Sequence, residues 1–247
     1  MTSGGPAATS DPTGRPVASP AGQGAAGLDP VWYAAYGSNM DDARFACYLS
    51  GGRPSGASRH YPGCRDVSPP RRSRPLTLPG GIYFALESRT WTGGMAFYDP
   101  LLPGEAAARG YLVTAAQFAD IAAQEMYRQP GAPLDLVATA VAVGRASTGP
   151  GRYETIVCGG WSDGHPVLTF TAPWRAGEVD PAPPAPAYLA TIASGLRLGH
   201  GWDAGRIADY LAGRPGIAGR WRRADLLALA EVSAAPGPTP GRDCRSR

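Results

Sequence analysis

The sequence predicts an α+β fold in which short strands are combined with a few well-marked helices. Short apolar segments separated by Gly, Pro and Asp turns are typical of a meander or a small β-barrel. Other stretches lack Gly and Pro and repeat their apolar residues at helical spacing. At 247 residues the chain is long enough for one large domain or two small ones with a hydrophobic core.

Composition argues against several classes of protein. All 23 basic residues are Arg, and the net charge of +3 is too small and dispersed to predict a nucleic-acid surface. No apolar run approaches the length of a membrane span, and the N-terminus lacks a secretory pattern, so we expect a cytoplasmic protein with no membrane partner. The four cysteines and three histidines are scattered, which predicts free thiols and no metal site.

Four regions are predicted along the chain. Residues 1–28 are rich in Gly, Ala, Pro, Ser and Thr and cannot bury enough apolar surface to fold, so we expect a disordered tail. Residues 29–175 are expected to form the β-rich domain. Residues 176–232 form a helical extension packed on the same domain, and 233–247 form a second disordered tail.

The first half of the chain is predicted to contain most of the strands. Residues 31–36 form a buried strand, and a helix over 41–50 ends at Gly51. The segment 58–66 is strand-like but interrupted by Pro62, which indicates an edge, and the Pro- and Arg-rich segment 68–80 is expected to be a loop. Further strands are predicted at 82–86, 94–98, 108–113 and 137–143.

The helices and the last hairpin are predicted from their caps and breakers. Thr114 and Gln117 fit a capping box for a helix over 115–128. Residues 152–158 and 165–171 indicate a hairpin with Asp-Gly at its turn, positions 163 and 164. Three further helices are predicted at 186–198, 203–212 and 223–232.

The first strand leads into a turn of small and polar residues. Gly37 lets the backbone approach a ligand closely, and free N–H groups of Ser38 and Asn39 would point outward. A simple strand-to-helix turn with an Asn cap explains the same residues. An anion or oxyanion pocket therefore needs a second component elsewhere in the chain.

The candidate for that component is Glu125. Phe118 and Ile121 lie seven and four residues before it on one helix face, so they carry Glu125 towards the core, whereas Asp120 falls on the opposite, solvated side. A carboxylate on an apolar face is costly unless it is paired or functional. The alternative is that Glu125 reaches out from the helix end to an arginine such as Arg128. A backbone turn and an inward carboxylate are two parts that an acyl-transfer site needs.

At these positions the chain resembles the gamma-glutamylcyclotransferase-like proteins. The segment 36–40, Tyr-Gly-Ser-Asn-Met, resembles their Y-G-S-N-L/M signature, and 90–96, Thr-Trp-Thr-Gly-Gly-Met-Ala, is similar to their T-W-x-G-G-(I/M)-A segment. The segment 109–113 is similar to the strand that leads to their catalytic Glu, which Glu125 matches with an offset of a residue or two. The resemblance covers about 31–171, and the region after 185 is longer and more helical than in compact members.

The resemblance implies a small mixed or antiparallel β-barrel flanked by helices, here with extra C-terminal helices, and no metal or organic cofactor. It implies a small-molecule γ-glutamyl substrate whose α-amine attacks the γ-carbonyl, giving 5-oxoproline and a free amine. Glu125 would be catalytic and would move the proton. The residues expected to bind substrate are Tyr36, Gly37, Ser38, Asn39, Met40, Tyr127 and Arg128.

Other functions stay open at the level of sequence. An amide hydrolase or deacylase would use Ser38 as nucleophile, but the turn lacks G-x-S-x-G and no His is placed as its base. A zinc-dependent deacetylase would need a His and Asp cluster, for which the only hint is Asp-Gly-His at 163–165. A non-catalytic member of the fold would bind a small metabolite or a protein through the same pocket. The leaving amine and the oligomeric state are not determined.

Overall fold

A computed structural model describes residue 16 and residues 28–54, 59–88, 90–131 and 136–233. The tails predicted at 1–28 and 233–247 lie almost wholly outside the described residues. The described part has an α+β fold with a six-stranded sheet, a two-stranded sheet and six α-helices. None of the helices in this part is long and apolar enough to cross a bilayer.

The central strand of the large sheet carries the turn singled out above. The strands are β1 (Val31–Ala35), β2 (Arg72–Pro79), β3 (Gly81–Ala85), β4 (Met95–Asp99), β5 (Glu105–Val113), β6 (Arg145–Ser147), β7 (Thr155–Ser162) and β8 (His165–Thr171). The large sheet has the order β2-β5-β1-β8-β7-β6, and β3 pairs with β4. Strand β1 is antiparallel to β5 and parallel to β8, and all its residues are buried. The sheet therefore holds the start of the turn from both sides.

The helices surround the end of β1. They are α1 (Asp42–Ser50), α2 (Ala115–Glu125), α3 (Leu136–Val143), α4 (Pro186–His200), α5 (Ala204–Ala212) and α6 (Arg223–Val232). A 3₁₀ turn, Ser38–Met40, joins β1 to α1. The capping box of Thr114 and Gln117 at the start of α2 is confirmed. A Cβ on Gly195 of α4 would lie 2.4 Å from the Met40 Cβ, so α4 packs directly against the 3₁₀ turn.

Three predicted elements are wrong. The loop expected at 68–80 contains β2, whose prolines are tolerated because β2 is an edge strand. The strand expected at 137–143 lies in α3, because a short apolar run does not separate strand from helix and its alanines favour helix. The described residues of 58–66 form a single bridge, between Gly52 and Tyr61, instead of a strand.

The predicted barrel is not found as a closed ring of paired strands among the described residues. The pairing gives two sheets, and the large one ends at β2 and at β6. Strand β6 has only three residues, and β2 contains Pro75 and Pro79, so neither edge offers a long row of N–H donors. The hairpin turn at 163–164 is confirmed, and both of its residues have positive φ.

The prediction that Asp120 faces solvent is also wrong. Asp120 is 1% exposed, because residues 59–66 fold over that side of α2. Its Oδ2 accepts a hydrogen bond from the Arg65 N–H over 2.9 Å, and its Oδ1 accepts one from the Gly131 N–H over 3.0 Å. The Arg65 guanidinium lies 3.1 Å from the same carboxylate. The face of α2 that sequence periodicity predicts to be exposed to solvent is thus covered by the segment 59–66.

Candidate functional site

The structure brings the turn after β1 and the acid at the end of α2 together. Phe118 and Ile121 are fully buried, and Glu125, the last residue of α2, is half-buried beside them. Asn39 Nδ2 donates a hydrogen bond to Glu125 Oε1 over 3.0 Å and to the Tyr33 hydroxyl over 3.3 Å. The two components that the sequence analysis pairs therefore touch.

Glu125 and the turn line a narrow cavity of about 70 Å³, here called the inner cavity. Residues that line it include Tyr33, Tyr36, Gly37, Ser38, Asn39, Arg44, Tyr48, Tyr61, Trp91, Glu125, Tyr153 and Tyr188. One water molecule needs about 10–15 Å³ by the same measure, so the cavity can hold a group of several heavy atoms. A Cβ on Gly37 would lie 3.2 Å from the Tyr188 hydroxyl, so a side chain there would crowd the lining.

Buried tyrosines surround the carboxylate. Burial first, and then the nearby Glu125 carboxylate, raises the pKa of Tyr33 and of Tyr48. Burial also raises the pKa of Tyr188 to about 12. These phenols stay protonated at neutral pH. They therefore present neutral hydroxyl groups to a ligand and add no negative charge.

The serine of the turn is held by a buried arginine. Arg44 Nε donates to Ser38 Oγ over 2.9 Å, and Arg44 Nη2 donates to the Tyr61 hydroxyl over 2.9 Å. Burial by itself lowers the pKa of Arg44, but the neighbouring tyrosine hydroxyls and Glu125 outweigh it and raise that pKa. The Arg44 side chain therefore brings a permanent positive charge to the cavity.

The other residues predicted to bind substrate divide into two groups. Tyr36 and Tyr127 line the inner cavity. The Tyr36 hydroxyl donates a hydrogen bond to the Phe170 carbonyl, so Tyr36 contributes its ring, and not its hydroxyl proton, to the lining. Met40 lies beneath the turn, fully buried in the core and outside the lining. Arg128 is also outside the lining, because its guanidinium pairs with the Glu154 carboxylate.

Several residues of the inner cavity are absent from the sequence-based site. Arg44 and Tyr48 are four residues apart on α1, a spacing that the sequence displays and that places them on one face. Trp91 lies in the segment 90–96 that carries part of the resemblance, but no role was predicted for it. Tyr188 comes from α4, and nothing local in the sequence points to its place.

A wider depression lies next to the inner cavity, with a volume of about 310 Å³. We call it the outer compartment, and its lining residues are Glu125, Met126, Tyr127, Gly151, Arg152, Tyr153 and Glu154. Glu125, Tyr127, Arg152 and Tyr153 line both spaces. The carboxylate of Glu125 therefore lies where the two spaces meet.

The described residues contain no group of three or more His, Cys, Asp or Glu side chains placed to hold a metal ion. Cys47, Cys64 and Cys158 are free thiols, as expected. In the Asp-Gly-His segment at 163–165, Asp163 lies at the β7–β8 turn and contacts Arg72 and Arg74 of the edge strand β2.

Comparison with known proteins gives limited similarity. No family model matches the chain. Histone deacetylase 5 from Arabidopsis thaliana is 34% identical over 183 residues, which cover 67% of this chain and 28% of that protein. The chain thus spans less than a third of the length of this curated relative.

Three solved structures are similar in fold over much of the chain. A gamma-glutamyl cyclotransferase has 14% identity and a TM-score of 0.44, covering 82% of this chain and 99% of that one. The uncharacterized human protein loc79017 has 16% identity and the same TM-score and coverage. YkqA from Bacillus subtilis has 18% identity and a TM-score of 0.34, covering 69% and 49%.

Proposed function

We propose that this protein is a cyclotransferase that acts on a γ-glutamyl amide. The observation that carries the proposal is the Glu125 carboxylate, half-buried and hydrogen-bonded to Asn39 inside a narrow cavity lined by the turn at 36–39. A carboxylate in this position can accept a proton from one atom of a bound ligand and return it to another. The motif resemblance described above supplies the reaction that needs such a proton carrier.

In the proposed reaction the α-amine of the γ-glutamyl group attacks its own γ-carbonyl carbon. A C–N bond closes the five-membered ring, and the C–N bond to the leaving amine breaks. Glu125 takes the proton released by the attacking amine and gives it to the leaving nitrogen, so the products are 5-oxoproline and a free amine. The nucleophile and carbonyl belong to one molecule, so the protein needs mainly to hold the folded conformer and move the proton.

We assign the substrate to the two spaces as follows. The γ-glutamyl group lies in the inner cavity, against the backbone of Gly37, Ser38 and Asn39. The leaving amine extends into the outer compartment, because Glu125 lines both spaces and must reach both nitrogens. The backbone N–H groups of the turn hold the γ-carbonyl oxygen as negative charge develops on it.

The contacts of Ser38 argue against an amide hydrolase that uses it as nucleophile. Its Oγ accepts a hydrogen bond from Arg44 Nε, a cation that cannot take the serine proton. The described lining of the inner cavity contains no histidine to act as base. Hydrolysis would place an oxygen from solvent in the acid product, so a reaction in ¹⁸O-labelled water separates the two reactions.

The proposal is tested by incubating the protein with γ-glutamyl amino acids, γ-glutamyl amines and glutathione and measuring 5-oxoproline. We expect Glu125→Gln to lower turnover by about 10²- to 10⁴-fold, the usual contribution of a general acid–base. Glu231→Gln, an exposed Glu on α6, is the matched control and should keep wild-type turnover. Unchanged turnover in Glu125→Gln would refute the proposed role of Glu125.

A further inference from the structure

Arg44 has an unusual environment for a buried cation. Its side chain lines the inner cavity, and the residue is only 7% exposed. Two of its three guanidinium nitrogens have hydroxyl partners, Ser38 Oγ and the Tyr61 hydroxyl. The third, Nη1, is buried and has no hydrogen-bond partner within the described residues. A buried donor without a partner is costly, and a ligand that supplies an acceptor removes that cost.

The walls around this guanidinium are aromatic. Its central carbon lies 5.3 Å from the ring centre of Trp91, 5.7 Å from that of Tyr61 and 6.0 Å from that of Tyr48. Ring faces stabilise a cation without neutralising it. Arg65 contacts Asp120 and Arg109 contacts Asp42, whereas Arg59 and Arg152, which line the same cavity, have no ion pair among the described residues. Among the described residues, Arg44 has no carboxylate within ion-pair distance, so its charge is available to a ligand.

A second unpartnered group belongs to another residue of the same lining. The Oδ1 atom of Asn39 is buried and has no hydrogen-bond partner among the described residues, while the Nδ2 atom is bound to Glu125. Oδ1 can only accept a hydrogen bond, and Arg44 Nη1 can only donate one. Two residues of the lining therefore hold an unpartnered buried acceptor, beside a carboxylate, and an unpartnered buried donor, on a cation. A ligand that carries both an ammonium group and a carboxylate group matches this pair.

We infer that Arg44 determines substrate specificity by binding the α-carboxylate of the γ-glutamyl group, an inference that rests on the proposed function. The α-ammonium group lies between Asn39 Oδ1 and Glu125; it loses one proton to solvent before the attack, and Glu125 takes the second proton as the ring C–N bond forms. With the α-carboxylate on Arg44, the backbone N–H groups of the turn remain available for the γ-carbonyl oxygen. A carboxylate on a guanidinium makes short, charge-assisted hydrogen bonds, and a substrate without it leaves the cation unpaired.

The test uses two amides that differ only in the α-carboxylate. L-γ-glutamyl methylamide closes to 5-oxoproline, and 4-aminobutanoyl methylamide closes to 2-pyrrolidinone by the same ring closure. We expect the wild type to prefer the first by at least about 100-fold in kcat/KM. Arg44→Gln should lose about 100-fold on the carboxylated amide and change less than about threefold on the other, so the preference largely disappears. Arg44→Lys should restore part of it.

Arg152→Gln is the matched control, because it removes the same charge from the lining of the same cavity. It should retain the wild-type preference between the two amides. If Arg44→Gln does not fold, the preference between the two amides is measured on Arg44→Lys instead. Lysine keeps the positive charge but lacks the planar guanidinium group that binds a carboxylate through two hydrogen bonds. An equal loss on both amides would mean that Arg44 only supports the turn, and a wild type without preference would equally overturn the inference.

Binding separates this inference from the proposed function. We expect calorimetry to show that the wild type binds 5-oxoproline at least about tenfold more tightly than 2-pyrrolidinone and that Arg44→Gln removes the difference. This outcome without turnover of any γ-glutamyl amide would contradict the proposed reaction and leave the carboxylate site intact. Turnover of γ-glutamyl amides, together with 5-oxoproline binding that does not depend on Arg44, would support the proposed reaction and contradict the carboxylate site on Arg44.

Discussion

The inner cavity and the outer compartment are built differently, although Glu125 lines both. The inner cavity is narrow, and its polar side chains are fixed by contacts with one another, as Asn39 is by Glu125 and Ser38 is by Arg44. The outer compartment is more than four times larger, about 310 against about 70 Å³, and Tyr127 in it is 59% exposed.

This difference indicates what each space is suited to recognise. A small space with fixed donors and acceptors selects one chemical group, because any other group leaves buried polar atoms unpaired. A wide, exposed space accepts many groups with little selectivity. We propose that the inner cavity binds the γ-glutamyl group with high selectivity and that the outer compartment binds the leaving amine with low selectivity.

Of the three variants that follow, Asn39→Leu is expected to have the largest effect on this comparison. The variant removes the hydrogen bond to Glu125 and the free acceptor while nearly keeping the volume of the side chain. Hydrogen bonds to charged groups contribute about 1.5–3 kcal/mol, so we expect kcat/KM for a γ-glutamyl amide to fall about 10- to 100-fold. A change below about threefold would mean that the inner contacts are not selective.

The second prediction concerns pH and the burial of Tyr188. Burial raises the pKa of Tyr188 to about 12, so the neutral phenol stabilises the fold fully below about pH 10, the pKa of an unfolded tyrosine. The contribution is lost as pH rises from about 10 through 12, and the loss should be about 0.8 kcal/mol at pH 10.5.

The measurement for Tyr188 is urea unfolding at pH 9 and at pH 10.5. The free energy of unfolding of the wild type should fall by about 0.8 kcal/mol more between these values than that of Tyr188→Phe. The other buried tyrosines are present in both proteins, so the difference isolates Tyr188. Equal falls in the two proteins would show that the Tyr188 hydroxyl is accessible to water and that its pKa is not raised by burial.

The smallest effect is expected from Tyr127→Ala, at the exposed side of the site where the two spaces meet. Tyr127 is mostly exposed, and its ring lies 4.1 Å from the Arg59 guanidinium carbon. We expect kcat/KM to change less than about threefold for γ-glutamyl amides with small leaving amines, since exposed contacts contribute little. A fall in kcat/KM of about 30-fold or more would show that the outer compartment is as selective as the inner cavity, which contradicts the proposed difference between them.

The site residues show which sequence arguments succeed. Glu125 lies half-buried beside the turn because Phe118 and Ile121 face the core and helical geometry carries the acid with them. The same helical geometry carries Arg44 inward with Tyr48, four residues later on α1. Arg128 was paired with the site by proximity in sequence, whereas Glu154, from a distant segment, holds it elsewhere.

By itself, the sequence determined the buried first strand, the turn that follows it, the capped helix α2 and the inward direction of Glu125. These features depend on local preference and periodicity, which act within a few residues. Only the tertiary structure decided that Tyr188 of α4 closes the cavity and that the 59–66 loop pairs with Asp120. Those contacts join residues far apart in the chain, and packing, with the need to satisfy buried polar groups, selects them.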